Sequence, residues 1–554
     1  MRWVIGGAVA ILFLYSLHLA AHRIIQVDEA QNLYMAKIIG SGETGTYFVN
    51  PALFLLGPLA WIAESATSAK EAFLSGRLLF AAVFWVNIFL IVKCTGVSLR
   101  SKKGLLVAFA AATLAPLWDY GFEIRHDNLL LTGLLLIWYL GRYRPDATSS
   151  YFAIGALSAI LQFTAFKAFV YTVPLSAHLL ICRGAAQPTI SAKTIGAWLA
   201  GAAAAGVACL ALFWHFGVLA QLLDNMVTLT QGARSNSTFY PFNTLSRLLF
   251  QTPLLVAAAI AALLAAALIV LRKPKAALQG DDLVPEAFLV SVALVALFIN
   301  PTPFPYNLVC VVPFAFLLAY RLVQQALPTA SGNRSLLVLA ASIFAFSHIV
   351  PFLYATLRHL DWTNWRQMRL IETAEAMTDP ITDPVYDAAG LVLTRQSIDR
   401  TWYLHSLNVK QLYNGKQTSL AAMLATNPAA VLMPNYRFDW LAESDWQFIR
   451  ANYLPLADDF WVLGTRLPAG GGEFRTRHPG RYQVVTVGEG HGAMPKLTLD
   501  GTPVTSNVVT LSVGAHTVKT AADVPVIIGW LGPTLDSLPT ITPGSHRTIF
   551  YNWY

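Results

Sequence analysis

Long apolar stretches recur through the first 354 residues of this chain, and no other feature constrains its fold as strongly. The hydrocarbon core of a bilayer is about 30 Å thick, so a helix crosses it with about 20 apolar residues. Stretches of this kind lie at about 3–21, 73–93, 104–118, 128–141, 151–165, 168–182, 194–217, 251–271, 285–300, 303–323 and 334–354. Only 12% of the 554 residues are charged and 55% are hydrophobic, whereas soluble domains carry about 25% charged residues. The sequence therefore predicts a polytopic α-helical membrane protein of about 11 spans. Residues 1–21 hold one early cation, Arg2, and leave through LAAHR, a poor cleavage site, so they read as a retained first helix. Residues 51–63 are apolar but short for a span, which fits a re-entrant or interfacial helix.

The placement of charge is more informative than the net balance of +8. One set of inter-span loops carries Lys93, Arg100, Lys102, Lys103, Arg142, Arg144, Arg183, Lys193, Arg272, Lys273, Lys275, Arg321 and Arg334. The alternate set is poor in cations and carries Asp28, Glu29, Glu43, Glu64, Glu71, Asp119, Glu123, Asp127 and Asp224. The positive-inside rule assigns the first set and the N-terminus to the cytoplasm. An odd number of spans then puts the C-terminal tail outside, which is the periplasm if the membrane is a bacterial inner membrane. The four cysteines, Cys94, Cys182, Cys209 and Cys310, all lie in or beside apolar segments, which argues against a disulfide framework and a cysteine-ligated zinc site.

The sequence divides into a membrane module over 1–354, an extracytoplasmic α/β region over 355–467, and a β-sandwich-like region over 473–554. In the middle region, short apolar runs (VYDAAG, AAVLMPN) alternate with helix-like stretches such as DWLAESDWQFIRANY. A glycine-rich linker, 468–472, follows. Beyond it come the alternating segments RYQVVTV, KLTLDG, NVVTLSVG, HTVKTA and VPVIIGW, with a hairpin signal at Asp500 and Gly501.

Nearly all the chemically versatile residues fall on the outward loops. The loop after the first span opens with Asp28 and Glu29, and the next holds EIRHDN, with Arg125, His126 and Asp127. Lys167 sits between the fifth and sixth apolar stretches. Arg234, Asn236, Tyr240 and Arg247 lie in a long loop, Tyr306 and Asn307 precede the tenth stretch, and Arg358 follows the last. Acidic groups at the membrane boundary are costly and are functional candidates by default. Carboxylates and cations on one face suit the transfer of a sugar from an isoprenoid-phosphate carrier. A carboxylate takes the proton of the attacking acceptor hydroxyl, and Lys or Arg holds the departing phosphate. Asp28, with Lys167 and Arg125, supplies both halves, and no P-loop or nucleotide fingerprint is present.

Each of these residues also has a plain structural use. Asp28 starts an Asp-x-x-Gln capping pattern with Gln31. Arg125 and Lys167 can snorkel to lipid head groups. Arg77 can pair with Glu71 or Glu64, and His126 with Asp127 can be an ordinary interfacial pair. Asp28 and Glu29 together have the chemistry to hold Mg²⁺ or Mn²⁺ with water, although no HxxxH or CxxC spacing accompanies them.

The run VDEAQNLYMAKII, then FVNPALFLLGPLAWIAESATSAKEAFLSGRLLFA, resembles the first external loop of the GT-C glycosyltransferases, which include protein O-mannosyltransferases and lipid A aminoarabinose transferases. The matching features are the acidic pair Asp28 and Glu29, and Arg77 with Leu78 at the entry to the second span. EIRHDNLLL resembles the family's second acidic motif at Asp127. Lys167, in FTAFKAFVYTVP, matches its lysine before the sixth span, and PFPYNLVCVVPFAFLLAY resembles its aromatic-proline entry to a late span. The likeness covers about residues 1–370. It implies inverting transfer from a polyprenyl-phosphate sugar, with Asp28 as base, to an acceptor glycan, lipid or protein in the cell envelope. Many relatives carry Lys-Pro-Pro where this chain has Asn50, Pro51 and Ala52, so the resemblance passes that lysine's phosphate contact to Lys167, Arg77 or Arg125. A transporter or flippase of lipid-linked sugars would need charges buried mid-span and an inverted repeat, and the sequence has neither. An oligosaccharide ligase or polymerase using a diphosphate carrier would share the same face. Nothing in the sequence points to nucleic acid.

Overall fold

The structure, a computed structural model, describes residues 2–42, 53–145, 147–181, 191–224, 241–272, 283–300, 303–330, 334–398, 404, 413, 415, 418–486, 497–520 and 524–550. Asn50, Pro51 and Ala52, as well as Arg234, Asn236 and Tyr240, lie outside the described residues.

The chain opens with α1 (Arg2–His22), α2 (Val27–Gly40), α3 (Pro58–Ser65) and α4 (Ala69–Cys94). It continues through α5 (Lys102–Ala112), α6 (Ala115–Tyr120), α7 (His126–Tyr143), α8 (Thr148–Thr164), α9 (Ala168–Ile181) and α10 (Ala192–His215). Then come α11 (Pro241–Gln251), α12 (Pro253–Arg272), α13 (Val284–Ile299), α14 (Val312–Ala330) and α15 (Arg334–Asp361). Each predicted apolar stretch falls on helix. The 104–118 stretch is split between α5 and α6, because Pro116 fits the first turn of a helix and not the interior of one. Among the described residues, five segments are long and apolar enough to cross a membrane by length and composition: α1, α4, α10, α12 and Pro305–Gln325. Trp214, Leu271 and Phe346 lie largely exposed on α10, α12 and α15, an arrangement suited to lipid and not to water.

After α15 the chain forms α16 (Trp365–Met377), α17 (Leu420–Thr426), α18 (Glu443–Asn452) and eleven strands among the described residues. These are β1 (Val385–Tyr386), β2 (Val431–Leu432), β3 (Tyr453–Ala457), β4 (Phe460–Leu467), β5 (Gly471–Thr476), β6 (Gly480–Thr486), β7 (Leu497–Leu499), β8 (Thr502–Pro503), β9 (Val508–Leu511), β10 (Gly514–Thr520) and β11 (Val526–Trp530). One sheet runs β1-β2-β4-β11-β6-β9 with β3 also on β4, and a second runs β5-β10-β7-β8. At Asp500 and Gly501 the backbone takes φ values of 52° and 81° between β7 and β8. These are the left-handed conformations that a two-residue hairpin turn needs.

The sheets do not divide at the predicted linker. β4 is long enough to pair with β2 and β3 through Phe460 to Leu463 and with β11 through Gly464 to Leu467. The larger sheet therefore draws strands from both sides of residues 468–472, which make a tight turn at 468–470 and pass directly into β5.

Two hydrophobic cores form among the described residues. One lies within the helix bundle. The other joins α2, α3 and the start of α4 to the sheet region, with Leu33, Ile38 and Phe73 in the same cluster as Leu432, Val462 and Ile528. The loop carrying α2 and α3 is thus held between the bundle and the C-terminal unit.

Candidate active site

The turn from α1 into α2 sets the site. Gln26 caps α2, and Glu29, three residues on, returns a carboxylate oxygen to the Gln26 N–H at 2.9 Å. The capping box that the sequence pattern put at Asp28 and Gln31 therefore forms two residues earlier. This satisfies the exposed N–H groups of the first turn and turns the Asp28 carboxylate away from the cap. Glu29 is fully buried. Its other partners are the Arg77 guanidinium, at 2.6 and 2.9 Å, and the Ile124 N–H at 3.2 Å. Burial alone would raise its pKa, but Arg77, together with the Gln26 N–H and the charge of Arg23, outweighs burial and holds the carboxyl below the ordinary glutamate range.

Ile124 locks the second loop against α2, because its carbonyl accepts from Asn32 Nδ2 at 2.7 Å while its N–H donates to Glu29. The next residue, Arg125, thereby faces Asp28. Its guanidinium donates to Asp28, lies 3.3 Å from Asp127 Oδ2, and stacks 3.4 Å above the Tyr306 ring. Asp127, on the first turn of α7, is buried and also receives Lys167 from the α8–α9 turn. Lys167 donates in turn to Asn307, in the turn that enters α14, and its Nζ is 5.6 Å from the Tyr306 ring. His126 Nε2 is 3.8 Å from Asp127, and its ring faces Phe54.

Asp28, Arg125, Asp127, Lys167, Tyr306 and Asn307 thus form one continuous chain of contacts, although they come from four separated stretches of sequence. Within it, Asp28, His126 and Lys167 keep 29%, 21% and 18% of their side-chain surface, whereas Arg125 and Asp127 keep 5% and 1%. The first three are the most open to a bound molecule, Arg125 keeps a small face beside them, and Asp127 is covered. Glu29 and Arg77 are buried behind this row. Asp28 and Glu29 look to different cations and do not converge on one point.

Arg358 lies in a neighbouring cluster. It donates to the buried Asp119 at 2.9 Å, and Asp119 also binds Gln251 Nε2 at 2.7 Å and His359 Nε2 at 2.9 Å. Arg247 from α11 reaches Tyr120 at 3.0 Å. Between the clusters, Arg23 pairs with Glu123 at 2.7 Å, and Glu123 lies 3.9 Å from Arg125. Sequence reasoning placed Asp119 and Glu123 among the outward acids but gave them no role, and it passed over Arg23 and Gln251. Spacing offers no signal for them, since their partners are more than 90 residues away.

No family model and no curated protein matches the sequence. Among solved structures, the chain is similar to ArnT from Cupriavidus metallidurans bound to undecaprenyl phosphate, with TM-score 0.55 and 14% identity over 83% of this chain and 97% of that one. It also aligns with the oligosaccharyltransferase of Archaeoglobus fulgidus tethered to an acceptor peptide, with TM-score 0.48 and 12% identity over 86% of this chain and 73% of that one. The likeness to ArnT shows that this chain shares that protein's fold, here a helical bundle followed by a C-terminal sheet region.

Proposed function

We propose that this chain is a membrane glycosyltransferase that moves a sugar from a polyprenyl-phosphate carrier to an acceptor hydroxyl, with inversion at the anomeric carbon. The observation that carries the reading is the unbroken row from Asp28 through Arg125 and Asp127 to Lys167, which sets an accessible carboxylate beside two cations on one ledge of the bundle. The fold it shares with a protein crystallised with undecaprenyl phosphate is consistent with that donor chemistry.

The acceptor oxygen attacks the anomeric carbon as the bond from that carbon to the phosphate oxygen breaks. The hydroxyl proton passes to the Asp28 carboxylate. The electron pair leaves on the polyprenyl phosphate, whose charge Arg125 and Lys167 receive. Asp127 aims both cations, Tyr306 and Asn307 flank them, and Glu29 with Arg77 fixes the helix that carries the base. His126 and Phe54 border the sugar's place. Arg358, held on Asp119, belongs to the adjoining wall. On this reading about eleven apolar helical stretches span the membrane, the site faces the periplasm of a bacterial inner membrane, and the C-terminal unit lies on the same side. Residues 355–467 and 473–554 then work as one extracytoplasmic unit above the 1–354 module.

The test is to incubate the purified full-length protein in nanodiscs with a panel of polyprenyl-monophosphate sugars and follow donor loss and polyprenyl phosphate release. Consumption of one donor, abolished in Asp28→Asn with the protein still folded, is the expected result. Movement of labelled carrier across proteoliposomes with no product from any donor would replace the transferase with a transporter.

A further inference from the structure

The backbone between α1 and α2, residues 23–26, is tied at every polar group, and most of the ties come from outside α1 and α2. The Arg23 N–H reaches Leu19 at 2.9 Å and its carbonyl takes Arg77. The Ile24 N–H donates to the Trp362 carbonyl at 2.9 Å, and its own carbonyl accepts from Arg77 at 2.6 Å. Ile25 is held entirely by Gln367 of α16. Its N–H donates to Gln367 Oε1 at 2.7 Å and its carbonyl accepts from Gln367 Nε2 at 2.9 Å. Gln26 is closed by Glu29. A side-chain amide that satisfies both backbone groups of one residue fixes that peptide as a paired strand would, and at a buried position losing such a contact leaves polar groups unmatched.

The same Gln367 Nε2 also donates to the Ile549 carbonyl at 2.6 Å, and both Ile549 and Phe550 are buried in the core shared with α2. The C-terminal segment is itself fastened to α16. Arg366 grips Asp459 at 2.6 Å and the Thr542 carbonyl at 2.9 Å, and the Thr534 hydroxyl donates to the Ala376 carbonyl at 2.5 Å. Next to this point, Asn364 donates to the carbonyls of His22 and Ala21, both at 2.8 Å. One buried amide thus meets the root of the Asp28 helix on one side and the end of the C-terminal strap on the other.

We infer that Gln367 is a positioning residue for transfer: through it, α16 and the C-terminal strap hold the Ile24–Gln26 turn and so set where Asp28 stands against Arg125. This rests on the reading of Asp28 as the base. A carboxylate that drifts by about 1 Å forfeits up to about 100-fold in rate, while the phosphate cradle of Arg125, Asp127 and Lys167, built on other elements, is left alone. The C-terminal unit is then part of the catalytic geometry and more than a cover.

The test uses the full chain in nanodiscs with Gln367→Met, which keeps the side-chain volume and removes the hydrogen bonds. Three quantities are read: kcat, the Kd for polyprenyl monophosphate, and hydrogen exchange at the Ile24–Gln26 amides. The expected result is faster exchange at these amides, kcat lowered about 10- to 100-fold, and Kd unchanged within about twofold. If Q367M does not fold, Gln367→Glu, which keeps an acceptor for the Ile25 N–H and loses the amide donor to the Ile25 and Ile549 carbonyls, carries the same three readings with a smaller fall in kcat. A kcat within twofold of the parent despite faster exchange overturns the inference, as does a Kd that weakens in step with kcat. Asp28→Asn is run beside it. Full activity in that variant removes the base assignment, whereas loss there with normal turnover in Q367M removes only the role of Gln367.

Discussion

The Arg125 guanidinium lies 3.4 Å above the Tyr306 ring while it donates to Asp28. Arg125 is buried, and a cation stacked on an aromatic face gains about 2 kcal/mol when water is excluded; the ring also stops the guanidinium from folding back. Tyr306→Leu is expected to raise the KM for the donor about 10- to 30-fold and to lower kcat less. Tyr306→Phe, which keeps the face, is expected to fall well inside that range. Steady-state kinetics with the identified donor check this, and a KM unchanged in Tyr306→Leu would show that the ring does not orient the phosphate ligand.

Arg125 donates hydrogen bonds to both Asp28 and Asp127, and these two carboxylates differ in what they hold. Asp28 retains 29% of its side-chain surface, whereas Asp127 retains 1% and also binds Lys167. Removing one partner of a buried ion pair leaves an uncompensated charge and costs about 3–5 kcal/mol. Asp127→Asn is therefore expected to lower the unfolding temperature and the activity together. Asp28→Asn is expected to abolish transfer with a stability change of about 1 kcal/mol or less, the scale of a partly exposed pair. Thermal unfolding in detergent, run beside the transfer assay, separates the two. Equal destabilisation in both variants would make Asp28 a structural residue.

Local signals account for what the sequence revealed, and long-range pairing for what it hid. Apolar stretches report helices through composition alone, and the Asp500–Gly501 turn reports its hairpin through backbone preference, so both were legible. Asp28, Asp127 and Lys167 stood out because charge beside apolar spans is expensive. The hydrogen-bond partners of Asp28 and Lys167 could not be read, because Arg125 meets Asp28 across 97 residues and Lys167 meets Asn307 across 140. The cap was misread for a related reason. A Gln-x-x-Glu box two residues upstream competes with Asp-x-x-Gln, and Arg77 on a distant helix decides between them. The glycine-rich stretch at 468–472 has a linker's composition and a turn's role, which only the pairing of β4 with β11 reveals.

Arg77 gives a third expectation. It binds Glu29 through two nitrogens and also meets the carbonyls of Arg23 and Ile24. Arg77→Met strands Glu29 and is expected to cost about 3–5 kcal/mol. The double variant Arg77→Met with Glu29→Met removes both charges and is expected to recover part of that loss, because a buried pair replaced by apolar groups is often close to neutral. A double-mutant cycle on unfolding free energy measures the coupling. Additive losses would mean that the two side chains act through separate contacts.

Glu29 also sets the acid response of the fold. Its carboxyl sits below the ordinary range in the folded chain, with Arg77, the Gln26 N–H and Arg23 together overcoming the upward push of burial, while the unfolded chain returns it to about 4.3. A group whose folded pKa is depressed binds protons more readily when unfolded, so stability rises with pH across that interval. The contribution is fully present above about 4.3 and is lost as pH falls through the lower folded value. Neutralising the carboxylate also releases Arg77 from its charged partner, so the turn at residues 23–26 is expected to loosen first. Unfolding temperature followed from pH 7 down to about pH 3 should drop on the acid side, and hydrogen exchange at Ile24 and Ile25 should rise with it. Glu29→Gln, with no proton to take up, is expected to start less stable and to show a flatter acid limb. An acid limb unchanged by that substitution would assign the acid sensitivity to other carboxylates and leave Glu29 with the cap alone.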